Sequence, residues 1–176
     1  MIFRFDDVCI NSDMANTNAI TDYLFEKFPT CEIIWAVSPL VHEGCGERVY
    51  PKIFNAHSDI RYFFKPNRLG LPKIHKRVKV AGHGLIHIDH RLLTKEQQEM
   101  SILISCSLIG ANIFVPPFNK YDDNTEEICD KNGIRLISFS DGWLSMEHNE
   151  YMLYDRWYLH AREWTLDKVK NWFENK

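Results

Sequence analysis

Short apolar runs rich in β-branched and aromatic residues alternate along the chain with segments in which apolar positions recur at helical spacing. The short runs predict strands, and the helical spacing predicts helices between them. The predicted strands are 2–5, 32–37, 77–81, 112–115, 135–139 and 151–159. The first predicted helix starts at Asn16 or Thr17 and runs to Phe28. Three further helices are predicted at 94–109, at 124–131 and from 165 to the C-terminus.

The alternation of strands and helices predicts a parallel sheet covered by helices, as either a barrel or a doubly wound sheet. Residues 40–72 depart from this pattern, because three prolines and several glycines stand among frequent aromatic residues. We interpret them as an irregular insertion that either walls a substrate cleft or covers the core. The length of 176 residues fits a single domain, residues 1–176, with one sizeable core.

Composition and charge restrict the kinds of partner and the cellular compartment that we expect for this protein. The formal net charge of −3 at pH 7 gives no general attraction to nucleic acid or to an anionic membrane. Five scattered cysteines without a CxxC pair indicate free thiols in a reducing compartment. The first residues lack a charged segment followed by an apolar one, so we predict no signal peptide and expect a cytoplasmic location.

Reactive side chains follow the predicted strands at their C-terminal ends. In a parallel sheet these ends converge on one face, where active sites are built. We therefore expect several distant segments of the chain to meet in one place. These segments contain Asp6 and Asp7, His83 and His87, Pro116 to Phe118, Asp141 and Trp143, and His160.

Two of these segments carry ligands suited to a divalent metal ion. His83 and His87 are four residues apart, a spacing at which two imidazoles can bind one ion, and the best candidate for a third ligand lies in the adjacent pair Asp6-Asp7. One aspartate and two histidines suit zinc, and also cobalt, nickel, manganese or iron. One of these two carboxylates could then bind the metal while the other acts as a base. Taken singly, each residue also has an ordinary structural explanation, such as a strand-end turn, a helix cap or a hydrogen-bonded loop histidine.

The ordered set resembles the polysaccharide deacetylases, also called the NodB-homology or carbohydrate esterase family 4 group. The resemblance runs from Phe3 to about His160 and covers most of the chain. Five motifs stand in the family order: Phe5-Asp6-Asp7, the H-x-x-x-H motif His83–His87, Phe114–Phe118, Ser140–Trp143 and Leu159-His160. Each motif alone is weak evidence, whereas the ordered set at strand ends is much stronger.

The resemblance implies an incomplete, distorted (β/α) barrel with its active site at the C-terminal strand ends. It also implies a metal-dependent hydrolase that removes the N-acetyl group from an N-acetylated sugar, which we expect to be a sugar nucleotide, a glycan precursor or an oligosaccharide. The implied metal ligands are Asp7, His83 and His87, and the implied catalytic groups are Asp6 as base, His160 as acid and Asp141, which orients His160. The implied substrate contacts are Pro117, the backbone N–H near Phe118, Trp143 and Leu159.

The chain departs from the family pattern at the third motif. In the family, the third motif contains an arginine that pairs with the base. The corresponding position here lies near Phe114 or Val115, so that arginine is missing, and Phe118 stands where the family usually has a tyrosine. Arg162 or Arg4 could replace the arginine, although strand alternation is expected to turn Arg4 to the other face.

These departures, together with a shortened fourth motif, leave two other functions open. One is a related hydrolase that breaks a non-peptide C–N bond in a small molecule other than a sugar. The other is a degenerate member of the family that binds a glycan or a partner without turning it over.

Overall fold

The computed structural model describes residues 1–9, 12–39, 74–85, 87–138, 142–146, 156–161 and 163–175. The insertion predicted at 40–72 lies outside these residues. The described strands are β1 (Ile2–Val8), β2 (Glu32–Val37), β3 (Lys79–Gly82), β4 (Ile113–Phe114), β5 (Arg135–Leu136), β6 (Leu144–Ser145) and β7 (Arg156–His160). The described helices are α1 (Met14–Lys27), α2 (Lys95–Ile109), α3 (Asp123–Lys131) and α4 (Leu166–Glu174).

The seven described strands form one sheet in the order β5-β4-β3-β2-β1-β7-β6. Every neighbouring pair is parallel, as expected where helices connect successive strands. The two strands at the edges of this sheet, β5 and β6, have two residues each. The fold class is therefore as predicted, with the parallel strands of an incomplete, distorted (β/α) barrel.

The central strands β1, β2 and β7 are covered on both faces, which explains their apolar sequences. Phe5, Trp35 and Trp157 have no solvent-exposed surface. One face of the sheet packs against α1 and α4 in a cluster that includes Leu24 and Phe173. A smaller cluster joins α2 and α3 to β4. The layers therefore leave the C-terminal strand ends as the edge where polar groups can gather.

Helix α1 begins before its predicted start. The side chain of Asp13 accepts a hydrogen bond from the Asn16 N–H and caps the helix, which starts at Met14. The prediction that Asn16 or Thr17 caps this helix is wrong, because Asp13 already satisfies that role one turn earlier.

Helix α2 follows its prediction. Thr94 and Gln97 form a capping box at its N-terminus, and Gly110 ends it in a left-handed conformation with φ = 66°. None of the described helices is long and apolar enough to cross a membrane.

Helix α2 packs unusually close to the end of β3. A Cβ atom added to Gly82 would lie 2.7 Å from Cys106 Sγ and 2.9 Å from Ser105 Oγ, so a larger residue would force these side chains to move. This contact fixes the end of β3, and His83 is the next residue along the chain.

Strand boundaries differ from the predictions at most of the strands. β3 spans 79–82 instead of 77–81, β4 spans 113–114 instead of 112–115, and β5 ends at Leu136 instead of at 139. β1 continues past Phe5 to Val8 and so includes both aspartates. β7 is described from Arg156, while residues 151–155 lie outside the described part of the chain. β6 was not predicted, because a strand of two residues shows no periodicity in the sequence.

Candidate metal centre and active site

The predicted metal ligands lie together at the C-terminal end of the sheet. Asp7 Oδ1 is 2.9 Å from His87 Nε2 and 3.3 Å from His83 Nε2. One ligand atom from each of these residues can be chosen so that all lie within 4.8 Å of one another. Elsewhere in the described part of the chain, no three His, Cys, Asp or Glu side chains are arranged in this way.

A β-bulge at the end of β1 separates the two adjacent carboxylates. Asp7 adopts a left-handed backbone conformation with φ = 61°, and the pairing of β1 with β2 shifts register between Phe5 and Val8. In a regular strand, Asp6 and Asp7 would point to opposite faces of the sheet. With the bulge, Asp7 reaches the histidines that follow β3. A strained non-glycine residue of this kind is typical of functional sites.

Hydrogen bonds to neighbouring strands hold His83 in place. Its backbone N–H donates to Val37 O at 2.9 Å, and Ser38 Oγ donates to its carbonyl at 2.8 Å. The ring Nδ1 lies 2.8 Å from Val115 O, which can only accept, so Nδ1 carries a proton. The other ring nitrogen, Nε2, faces Asp7 and can hold either a proton or a metal ion.

Asp7 is ionised in this environment. Burial alone would raise the pKa of its carboxyl group, but hydrogen bonds from the rings of His83 and His87, and the charges on those rings, outweigh burial. The pKa of Asp7 is therefore held well below its usual range. The carboxylate is available as a ligand at any physiological pH.

The donor set fits a divalent metal ion. Zinc ligands lie about 2.0–2.2 Å from the ion, so ligand atoms in a tetrahedral site are about 3.3 Å apart. The observed separations between Asp7 and the two imidazoles, 2.9 and 3.3 Å, are close to this value. One carboxylate and two imidazoles also form a known set of catalytic ligands that keeps a coordination position open.

Asp6 is paired with Arg4, which lies two residues earlier in the same strand. Arg4 Nε donates to Asp6 Oδ1 at 2.8 Å, and Nη2 donates to Oδ2 at 2.7 Å. The two residues are 0% and 1% exposed. The expectation that Arg4 faces away is wrong, because residues two apart in a strand share one face. The other candidate, Arg162, lies outside the described residues.

Two aromatic rings and an asparagine surround the Arg4 guanidinium. Its Cζ lies 5.0 Å from the ring centroid of Trp143 and 5.1 Å from that of Tyr158. Nη2 also donates to Asn119 Oδ1 at 2.8 Å. Within the described residues, Nη1 has no hydrogen-bond partner. Trp143 was predicted to contact substrate, but it is buried and packs on Arg4.

The turn after β4 exposes Phe118. Residues Pro117–Asn119 form a 3₁₀ turn in which Phe118 has φ = 57°. The residue is 53% exposed, and its ring centroid lies 4.3 Å from that of His87. The N–H groups of Asn119 and Lys120 bond to carbonyls of the turn, whereas the Phe118 N–H has no partner in the described part of the chain.

His160 ends β7 beside Asp6, and the two residues are register partners in the parallel pair of β1 and β7. His160 Nδ1 lies 3.4 Å from Glu163 Oε2. The sequence prediction missed Glu163, whose signal is its position three residues after His160. Asp141, which was predicted to orient His160, lies outside the described residues.

The remaining predicted substrate contacts lie below the surface of the site. Leu159 has no exposed surface and belongs to the core cluster. Pro117 is also buried, at the start of the turn that carries Phe118. Leu159 thus lies on the face of the sheet that packs against α1 and α4. Among the predicted substrate contacts that the structure describes, Phe118 is the most exposed to solvent.

The loop that carries His87 is anchored to α2 through Ser101. Ser101 Oγ accepts the Leu85 N–H at 3.0 Å and lies 3.1 Å from His90 Nε2. His90 Nδ1 lies 3.2 Å from Ile88 O. A neutral His90 satisfies all three contacts, with Nδ1–H donating and Nε2 accepting. Burial, partly offset by the Ile88 carbonyl, lowers the pKa of His90 from 6.5 to about 4.

No protein-family model matches the chain, and no curated protein sequence matches it. Solved structures do match. A family 4 carbohydrate esterase from Streptomyces lividans is 12% identical with a TM-score of 0.59, and the match covers 98% of this chain and 84% of that one. The chain has the fold of the family 4 carbohydrate esterases. Peptidoglycan deacetylase PdaC from Bacillus subtilis is 16% identical with a TM-score of 0.57, covering 99% and 82%.

This family 4 fold is also found in a protein without the activity. A family 4 pseudoenzyme from Bacillus anthracis is 10% identical with a TM-score of 0.60, and the match covers 99% of this chain and 59% of that one. Such low identities show the fold alone. The chemistry of this chain must therefore be argued from its own residues.

Arg4→Met should destabilise the protein, because it leaves the Asp6 carboxylate buried without a cation. Removing one partner of a buried ion pair costs about 3–5 kcal/mol. Adding Asp6→Asn to Arg4→Met should recover a large part of that loss. Urea unfolding measures the three free energies. An Arg4→Met variant as stable as the wild type, or a double variant less stable than Arg4→Met, would contradict the pairing.

The free energy of unfolding should depend on pH through His90. Its pKa is about 4 when folded, against an ordinary value of 6.5 in the unfolded chain. As the pH falls, the unfolded chain therefore takes up the proton first. Stability should be highest above about pH 6.5 and decline by roughly 3 kcal/mol by about pH 4. His90→Gln removes this titration, so equal declines in both proteins, measured by urea unfolding, would rule the assignment out.

Proposed function

We propose that the protein is a metal-dependent hydrolase that removes the N-acetyl group from an N-acetylated sugar. The observation that carries the proposal is the cluster of Asp7, His83 and His87 beside an Asp6 that is held by Arg4. Three ligands next to an oriented carboxylate are the parts that metal-assisted hydrolysis needs. Fold neighbours named as a carbohydrate esterase and a peptidoglycan deacetylase support a sugar as the substrate class.

Asp7, His83 and His87 would hold the divalent ion. Bound there, the ion would lower the pKa of a water molecule and polarise the acetyl carbonyl. The Val115 carbonyl orients the His83 ring through Nδ1, a contact that typically strengthens a histidine ligand. We favour zinc for this donor set, which cobalt, nickel, manganese or iron would also suit.

Asp6 is the general base in this proposal. Both of its oxygens accept hydrogen bonds from Arg4, which sets the orientation of the carboxylate next to Asp7. A carboxylate in that position can take the proton of the attacking water. The third motif lacks the arginine that would pair with the base, but Arg4 on β1 makes this pairing with Asp6 instead. The missing arginine is therefore no longer an argument for a degenerate member of the family that binds a glycan or a partner without turning it over.

His160 is the general acid. It stands beside Asp6 at the end of β7, and Glu163 lies close enough to Nδ1 to orient the ring. A protonated imidazole can give its proton to the departing amine. Base and acid would then come from adjacent strands of the sheet.

Phe118 contributes through its backbone and its ring. Its N–H, which has no partner among the described residues, would donate to the oxygen that becomes negative during attack on the carbonyl. The exposed ring beside His87 offers an apolar surface for one face of a sugar. A free sugar, a sugar nucleotide or a short oligosaccharide would each suit this arrangement.

Asp7→Ala and His83→Ala should each abolish stoichiometric metal binding and turnover together, because each removes one of three ligands. Asp6→Asn should keep the metal and lower turnover about 100- to 10,000-fold, as loss of a general base does. The measurements are metal content by mass spectrometry and acetate release from N-acetyl sugars.

His75→Ala is the matched control, because His75 also pairs with an aspartate, Asp22, but lies outside the site. It should change neither metal content nor turnover. Full turnover without the Asp7 side chain would refute the mechanism. A metal-loaded protein that releases acetate from no N-acetyl sugar would refute the substrate class.

A further inference from the structure

One nitrogen of Arg4 joins two parts of the site that are distant in sequence. Nη2 donates one hydrogen to Asp6 Oδ2 at 2.7 Å and the other to Asn119 Oδ1 at 2.8 Å. The second bond spans 115 residues. It connects the proposed base on β1 with the turn that follows β4.

The Arg4 guanidinium is a fixed point for this connection. It is fully buried, it donates hydrogen bonds to both oxygens of Asp6, and its Cζ lies 5.0 and 5.1 Å from the ring centroids of Trp143 and Tyr158. A planar guanidinium held in this way has little freedom to rotate or shift. A side chain bonded to it is therefore restrained relative to β1.

The turn needs such a restraint. Phe118 and Asn119 both adopt left-handed conformations, with φ of 57° and 53°. Asparagine tolerates this conformation better than most residues, whereas a bulky residue such as phenylalanine does not. Strained conformations persist only where surrounding contacts impose them. The bond from Arg4 to the Asn119 side chain is a contact of this kind.

The turn carries two groups that the proposed reaction uses. The Phe118 N–H is the proposed donor to the oxyanion, and the Phe118 ring lies against His87. Both groups belong to the residue directly before Asn119. A shift of the Asn119 backbone would therefore move the donor relative to Asp6 and His87.

We propose that Asn119 is a positioning residue, which fixes the turn bearing the Phe118 N–H against the base Asp6 by way of Arg4. The inference rests on the proposed function. Asn119 touches no reacting atom in this scheme, and it acts through the Arg4 guanidinium and the Phe118 backbone. The competing explanation is that asparagine is present only because it tolerates the left-handed turn.

Substitutions at position 119 separate these explanations. Asn119→Gly accepts the left-handed backbone without strain but removes the acceptor for Arg4. Asn119→Asp keeps both the acceptor and the tolerance of the turn. Asn132→Gly is the matched control, because it removes an asparagine side-chain hydrogen bond at the end of α3, away from the site.

Kinetics with an N-acetyl sugar provide the first readout. A misplacement of about 1 Å can cost about 100-fold in rate, so Asn119→Gly should lower kcat about 10- to 100-fold with little change in KM and in metal content. Asn119→Asp should recover most of the loss. Asn132→Gly should match the wild type. Thermal unfolding confirms that the variants compared are folded.

The second readout needs no turnover. It is the NMR signal of the His87 ring protons in metal-free protein that is isotope-labelled at histidine. The nearby Phe118 ring should shift this signal upfield, and comparison with Phe118→Leu measures the size of that shift. At one fixed pH, Asn119→Gly should move the His87 signal toward the Phe118→Leu value. Asn119→Asp and Asn132→Gly should leave it in place.

The outcomes for the two proposals differ. If Asn119→Gly equals Asn132→Gly in kcat and in the His87 signal, the positioning role is wrong and the proposed hydrolase is unaffected. If the wild type hydrolyses no N-acetyl sugar, the proposed function fails. The His87 signal then decides by itself whether Asn119 holds the turn.

Discussion

Two negative charges buried side by side determine how this site is built. Asp6 and Asp7 are adjacent in the sequence and are only 1% and 8% exposed. Removing an ionised carboxylate from water costs several kcal/mol unless it gains hydrogen-bonding or charged partners in the protein. Each of the two aspartates therefore needs its own set of partners. Arg4 serves Asp6, and His83 and His87 serve Asp7. The bulge in β1 keeps the two sets apart.

These separate surroundings explain how two identical side chains can do different chemistry. Both oxygens of Asp6 are engaged by a guanidinium, which leaves the carboxylate oriented and next to the cluster. One oxygen of Asp7 is shared between His83 and His87, and a divalent ion could replace the imidazole protons there. In the proposed mechanism, these different surroundings assign one carboxylate to proton transfer and the other to metal binding, as in other sites with paired acids.

Much of the fold and part of the site could be predicted from the sequence, because periodicity, capping residues and strand-end positions are local signals. These signals predicted the parallel sheet and the meeting of Asp7, His83 and His87. Arg4 could also have been assigned, since alternation places residues two apart on one face. The bond from Arg4 to Asn119 could not, because a side-chain contact across 115 residues leaves no local pattern. It depends on how the turn after β4 is placed against β1.

X-ray absorption at the zinc edge of zinc-loaded protein would report the ligand shell directly. The structure leads us to expect two imidazole nitrogens and oxygen ligands at about 2.0–2.2 Å, with the imidazole signal lost when His83 and His87 are both replaced by alanine. A shell without imidazole, or one unchanged by that double substitution, would contradict the proposed metal centre.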